Sequence, residues 1–231
     1  PELDQAAAEI REKFAVAVET LGIDLTENMS PGKVLEWCEQ HNYAVNILMN
    51  NAGLAGSVVF ESSPVEYSDD RIMLNIRAMV LLCRLFIPIL KQNEKAYILN
   101  TGSFSAYQPL PFKSVYAASK SFVHLFSLAL NEELRDTPVS VAVVNPNGVR
   151  TNPETYERIN THGILVKKFL ILDADKVAHL SVEGILKGKK IIIPGFWNRF
   201  ILQITRLLPL QFKIRKTATV FRKELLEEAP G

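Results

Sequence analysis

Cysteine is scarce in this chain, with only Cys38 and Cys83 among 231 residues. Two thiols in helix-like segments make no disulfide framework, so the sequence reads as that of a protein from a reducing compartment, the cytoplasm. Metal-ligand spacing is lacking as well: His41, His124, His162 and His179 form no such pattern, and no metal is expected. An excess of one charge is missing. The 26 Lys and Arg against 25 Asp and Glu leave +1, which gives no overall pull toward nucleic acid. No stretch of 18 or more residues is apolar throughout, so no membrane-spanning helix is expected. There are no internal repeats and no low-complexity linkers. The chain opens on Pro1 without a secretory signal and reads as a protein whose first residues lie upstream.

What is present is a core's worth of apolar surface, 48% of the residues, enough for one full domain. Strand-length apolar runs alternate with helical patterns. Strands are expected over residues 15–25, 45–49, 96–99, 139–144 and 189–193. Helices are expected over 3–14, 31–41, 68–87, 116–135 and 175–186. Ser68 is expected as an N-cap, with Asp69 and Asp70 in the first turn beneath it. Residues 78–87 are apolar nearly all round, which suggests burial against both the sheet and a partner subunit. Residues 152–163 are polar and loop-like, a candidate lid. The alternation implies an α/β fold with a doubly wound parallel sheet over 1–195, followed by a tail at 196–231.

The stretch TGSFSAYQPLPFKSVYAASK, residues 101–120, carries the chemistry. Tyr116 and Lys120 are four apart on an expected helix, so phenol and ammonium lie on one face. A nearby cation stabilises a phenolate, and a general acid–base group works best when both protonation states are within reach. Ser103 sits just beyond a strand, where open α/β sheets bind their ligands. The tetrapeptide alone is an ordinary helix pair. Ser103 and the α/β pattern give it meaning.

With these pieces placed, residues 3–195 resemble the classical short-chain dehydrogenase/reductase family. The resemblance rests on Asp24-Leu25, Asn50-Asn-Ala-Gly53, Asn75, Ser103, the Tyr116/Lys120 pair and the segment Pro146 to Thr151. It implies a Rossmann-like fold, NAD or NADP as cofactor, and interconversion of a ketone and a secondary alcohol. By the same resemblance, Tyr116 exchanges the proton, Lys120 supports it and holds the nicotinamide ribose, and Ser103 polarises the carbonyl. Asn75 distorts its helix and holds a water beside Lys120. Asp24 and Leu25 flank the adenine. Asn51, Ala52 and Gly53 line the cofactor groove, and Pro146, Gly148, Val149 and Thr151 frame the nicotinamide. A homodimer or homotetramer is implied.

Two departures from the family stand out. The opening strand and glycine-rich turn that would present a helix N-terminus to the pyrophosphate are absent from this sequence. The family's Pro-Gly is Pro146-Asn147 here, with Gly148 one place later. Phe104, Tyr107, Leu110, Pro111 and Phe112 beside Ser103 suggest an apolar, lipid-like substrate. Residues 196–223 carry seven basic side chains and no acid, interleaved with aromatics and leucines around Pro209. That pattern reads as a broken amphipathic helix, either in peripheral contact with a membrane or folded over the substrate mouth. The competing functional class is a catalytically degenerate nucleotide-binding sensor or scaffold.

Overall fold

The structure, a computed structural model, describes residues 2–151 and 169–228. The expected lid at 152–163 lies outside the described residues.

Four parallel strands make the sheet. They are β1 (Ile47–Asn50), β2 (Ala96–Thr101), β3 (Val139–Val144) and β6 (Ile191–Ile192), side by side in that order. A second, two-stranded parallel ladder joins β4 (Val149–Arg150) to β5 (Leu172–Asp173). Helix α1 (Glu2–Phe14) opens the described chain and α2 (Ser30–Gln40) precedes β1. After β1 come a 3-10 turn (Phe60–Ser62), α3 (Val65–Ile72), a π-helical turn (Met73–Ala78) and α4 (Met79–Leu90). Helix α5 (Ser114–Glu133) links β2 to β3, and α6 (Ala174–Leu186) leads into β6. The chain ends in α7 (Phe196–Leu207) and α8 (Leu210–Glu228).

Strand alternation builds two cores. Ala96 and Ile98 of β2, with Val139, Val141 and Val143 of β3, face Leu82, Phe86 and Leu90 of α4 and Val123 and Leu130 of α5. Leu99, Ala142 and Val144 point the other way, onto Ile185 of α6 and Ile192. A parallel sheet covered on both faces needs this near-continuous apolar run, because successive side chains serve opposite layers. The strand order runs in one direction throughout; no reversal occurs among the described residues.

Some expectations fail. Residues 15–24 form no strand and are largely exposed, although their sequence suits one. An extended segment becomes a strand only where a neighbour takes its backbone hydrogen bonds, and among the described residues no strand lies beyond β1. Arg11 instead donates its guanidinium to Val18 O, and Asp24 closes a local turn. For the same reason β1 is an edge, with Ile47 and Met49 exposed. Ser68 is not a cap but lies inside α3, which starts at Val65 because Pro64 holds the preceding residue pair extended. The last strand shrinks to two residues. Gly188, at φ +75°, ends α6 in a left-handed turn and Lys189 N–H is used on Gly184 O, which leaves only Ile191 and Ile192 to pair with β3.

The run Val65–Leu90 is 26 residues long and contains an 18-residue window of mean hydropathy 1.9, long and apolar enough by composition to cross a membrane. Glu66, Asp69, Asp70, Arg71, Arg77 and Arg84 interrupt it, so it is not apolar throughout. In the fold, its Ala78, Met79, Leu82, Cys83, Phe86 and Leu90 are buried.

Candidate active site

The C-terminal ends of β1, β2 and β3 deliver the site. Thr101 closes β2, Gly102 and Ser103 follow, and a 3-10 turn (Phe104–Tyr107) leads to α5. Ser103 caps that turn: its Oγ accepts the Ser105 N–H at 3.1 Å. A hydroxyl has one proton and two lone pairs, so capping leaves the proton to be donated to a carbonyl oxygen.

Lys120 sits one turn beyond Tyr116 on the inner face of α5 and is only 5% exposed, while Tyr116 is half-buried. Its Nζ donates to Thr101 O at 2.7 Å, and burial pulls its pKa down to about 8. Thr101 Oγ1 in turn donates to Asn51 Oδ1 at 3.1 Å, tying β2 to the loop after β1.

Asn75 lies in the π-turn, 2% exposed. The extra residue of a π-turn swings its side chain off the regular helical path, and such turns recur at functional sites. Asn75 Oδ1 accepts the Leu54 N–H at 2.8 Å; its Nδ2 donates to Leu54 O at 2.9 Å and to Ser119 Oγ at 3.0 Å. It therefore zips the 51–54 loop to α5. Gly53 is tightly enclosed. A Cβ there would lie 3.1 Å from Asn75 Oδ1 and 3.2 Å from Lys120 Nζ. Gly53, Asn75 and Lys120 thus converge on one point, with Asn51 and Thr101 beside them.

The loop after β3 joins from the other side. Pro146 O accepts the Phe104 N–H at 2.8 Å, and Gly102 N–H donates to Val144 O at 2.8 Å. Gly148 packs on Ile171, and its carbonyl accepts the Leu172 N–H at 3.1 Å, with Val149 in β4. Arg150 pairs with Asp173 at 2.9 Å. Thr151 is exposed at the end of this loop and Ala52 at the tip of the other. Asn147, at the departure from Pro-Gly, donates to Asn198 Oδ1 of α7 at 3.1 Å. Asp24 is not brought to this cluster by any hydrogen bond. Its carboxylate, held below the usual range by bonds from Thr26 N and Oγ1, turns back on its own segment, with Leu25 half-buried next to it.

Sequence reasoning missed Asn145, Thr101 and Ser119. The available signal for Asn145 was a polar residue directly after a six-residue apolar strand; Thr101 and Ser119 act through positions that only packing defines.

A family model described as short chain dehydrogenase matches residues 1–161. The uncharacterised oxidoreductase DltE of Bacillus subtilis is 30% identical over 177 residues, 76% of this chain and 69% of its own. The 17-beta-hydroxysteroid dehydrogenase type 3 of Danio rerio is 32% identical, covering 64% of this chain and 50% of its own. The human very-long-chain 3-oxoacyl-CoA reductase is also 32% identical, over 64% and 48%. The chain thus spans about half the length of the latter two. Among solved structures, a short-chain dehydrogenase of Sphingobium yanoikuyae in complex with NADPH superposes with a TM-score of 0.72 at 27% identity, over 99% of this chain and 82% of that one. This chain belongs to the short-chain dehydrogenase family, whose members are oxidoreductases using NAD or NADP.

Proposed function

We propose that the full-length protein is an NAD(P)-dependent oxidoreductase interconverting a ketone and a secondary alcohol on an apolar, lipid-like or steroid-sized substrate. The observation that carries this reading is the buried Lys120 ammonium, meeting Asn75 and Gly53 one turn from Tyr116. A buried cation costs stability, so its place beside Asn75 and Gly53 supports a functional role.

The residues present suit the cofactor. An ammonium has three donors, of which Thr101 O takes one; ribose hydroxyls would take others. The side-chain-free backbone at Gly53 would let the cofactor approach, with Asn51 and Ala52 beside it, and the 146–151 loop would hold the nicotinamide end. The bound nicotinamide supplies or accepts the hydride. In reduction, Ser103 Oγ–H donates to the carbonyl oxygen and Tyr116 hands that oxygen its proton as negative charge develops. Lys120 stabilises the resulting phenolate, and Asn75 fixes the loop against α5.

The relatives named for steroid and very-long-chain acyl substrates support an apolar substrate, as do Phe104, Tyr107, Leu110 and Phe112 beside Ser103. A cytoplasmic homodimer or homotetramer completes the reading, with Phe122 and Leu125 of α5 exposed for a partner. The tail would make peripheral membrane contact.

Tyr116→Phe removes only the phenol oxygen. Turnover of a ketone should fall by about 10² to 10⁴, with the melting temperature and NAD(P)H affinity nearly unchanged. A variant that keeps most of the wild-type reductase rate would remove Tyr116 from the mechanism, and tight nucleotide binding without turnover of any ketone by the wild type would favour a sensor.

A further inference from the structure

Asn145 is fully buried, 0% exposed, at the last turn of the chain out of β3. Its Oδ1 accepts the Ser103 N–H at 3.1 Å; its Nδ2 donates to Tyr107 OH at 2.9 Å and meets His124 Nδ1 at 3.0 Å. A backbone N–H can only donate, so Oδ1 must face Ser103 and the amide protons must face Tyr107 and His124. His124 Nδ1 is then an acceptor, the neutral form that burial and the Arg206 charge both favour. Every hydrogen-bonding group of the Asn145 side chain is engaged, and all of its partners lie on the serine loop or on α5.

The backbone has been shaped to admit this side chain. A Cβ on Gly102 would come 2.2 Å from Asn145 Oδ1 and 2.9 Å from Val143 Cγ2. Any residue but glycine before Ser103 would displace the asparagine. Tyr107 and His124 pack edge to face at 5.0 Å, and Arg206 of α7 lies 5.8 Å over the Tyr107 ring, which braces the cluster from the tail side.

We infer that Asn145 is a positioning residue for Ser103: held by Tyr107 and His124, it sets the backbone, and hence the hydroxyl, of the serine that polarises the substrate carbonyl. This rests on the reading of Ser103 given above. Asn145 touches neither substrate nor cofactor in this role. Its contribution is to a distance, and a misplacement of about 1 Å in a reacting group can cost on the order of 10²-fold in rate.

The test uses the full-length protein with NADH and NADPH and three ketone probes: decan-2-one, a long-chain 3-oxoacyl thioester and a 17-ketosteroid. The fastest is used for a double-mutant cycle. Asn145→Ala should lower kcat by about 10- to 100-fold, leave the cofactor Kd within about twofold, and strip the Ser103 amide of its protection from hydrogen exchange. Tyr107→Phe, a gentler change that keeps the ring, should produce a smaller loss in the same direction. In a Ser103→Ala background, Asn145→Ala should lower kcat by less than about threefold, because the group it positions is gone. An equal loss in both backgrounds would make Asn145 a structural residue only and overturn the inference, as would full kcat in both Asn145→Ala and Tyr107→Phe. Undiminished kcat in Ser103→Ala alone would instead overturn the reading of Ser103, and the inference with it.

Discussion

Lys120 has its ammonium buried against a carbonyl oxygen, with a pKa pulled down to about 8 from the usual 10.5. At about 1.36 kcal/mol per pKa unit, that shift corresponds to roughly 3 kcal/mol of stability given up in the cofactor-free protein. Lys120→Met, similar in volume and uncharged, should therefore raise the melting temperature by several degrees at pH 7 while turnover is lost, a trade of stability against function. The pH dependence has a definite sign. Below pH 8 both the folded and unfolded states carry the charge, and the wild type bears the whole burial cost. Between about 8 and 10.5 only the unfolded state keeps the proton, so the wild type gains stability as pH rises. The advantage of Lys120→Met should be largest below pH 8 and shrink toward pH 10.5 in parallel thermal melts. A constant advantage across that window would mean that Lys120 is not buried as a cation.

The element that carries most of the site's order is the run α3, π-turn and α4. Its outer ends are ordinary α-helix, and its middle is a π-turn at Met73–Ala78 that carries Asn75. Three hydrogen bonds leave that one side chain, two to Leu54 and one to Ser119. Asn75→Ala would strand the Leu54 N–H and C=O and leave Ser119 Oγ without this donor. A loss of about 1–3 kcal/mol is expected, with a drop in melting temperature and weaker NAD(P)H binding by calorimetry. If stability falls but nucleotide affinity holds, the 51–54 loop does not shape the cofactor groove. The same run shows why composition alone misreads such a helix. Its apolar residues are there for the sheet and α5, while Glu66, Asp69, Asp70 and Arg71 in its first turns and Arg77 and Arg84 further on keep it from being apolar throughout.

At the scale of the whole molecule, the tail is the feature that the oxidoreductase core does not account for. One face of α7 is fixed inward by Asn198 and Leu202, both buried, with Asn198 Nδ2 on Leu170 O and Pro194 O. The other face is bare: Phe196, Phe200, Ile204 and Leu207 are 65%, 48%, 44% and 86% exposed. Lys113 lies over the Phe221 ring at 4.6 Å and Arg222 over the Phe112 ring at 5.6 Å, so α8 also touches the serine loop. The exposed stripe of α7 and the α8 contacts lie on different parts of the tail, and the proposed membrane contact concerns the stripe. Phe196→Asp with Phe200→Asp and Leu207→Asp should abolish co-sedimentation with anionic vesicles while leaving the melting temperature within about 1 °C, since exposed substitutions seldom matter for folding. Equal binding of wild type and variant to anionic and neutral vesicles would show that this stripe is not a membrane surface.

The sequence by itself determined the parallel strands from β1 through β3 and the helices between them, because periodicity records which side of an element faces the core. It also determined that Ser103 would stand just past a strand and that Tyr116 and Lys120 would share one helix face, since position after a strand and spacing along a helix are local properties, whereas Asn75 came only with the family resemblance. The break at Pro209 was equally legible: a proline cannot continue a helix, and α7 and α8 divide there. Only the tertiary structure decided the rest. Residues 15–24 have a strand's composition but no neighbour, and pairing is a property of two segments. Ser68 has a cap's chemistry, but the proline four residues earlier had already begun the helix. Asn145 gave little local sign of its role, because its partners at 103, 107 and 124 meet it only when β2, β3 and α5 are packed together. Which face of α7 is bare was undecided until Asn198 and Leu202 were buried, since an amphipathic pattern says that two faces differ and not which of them finds a partner.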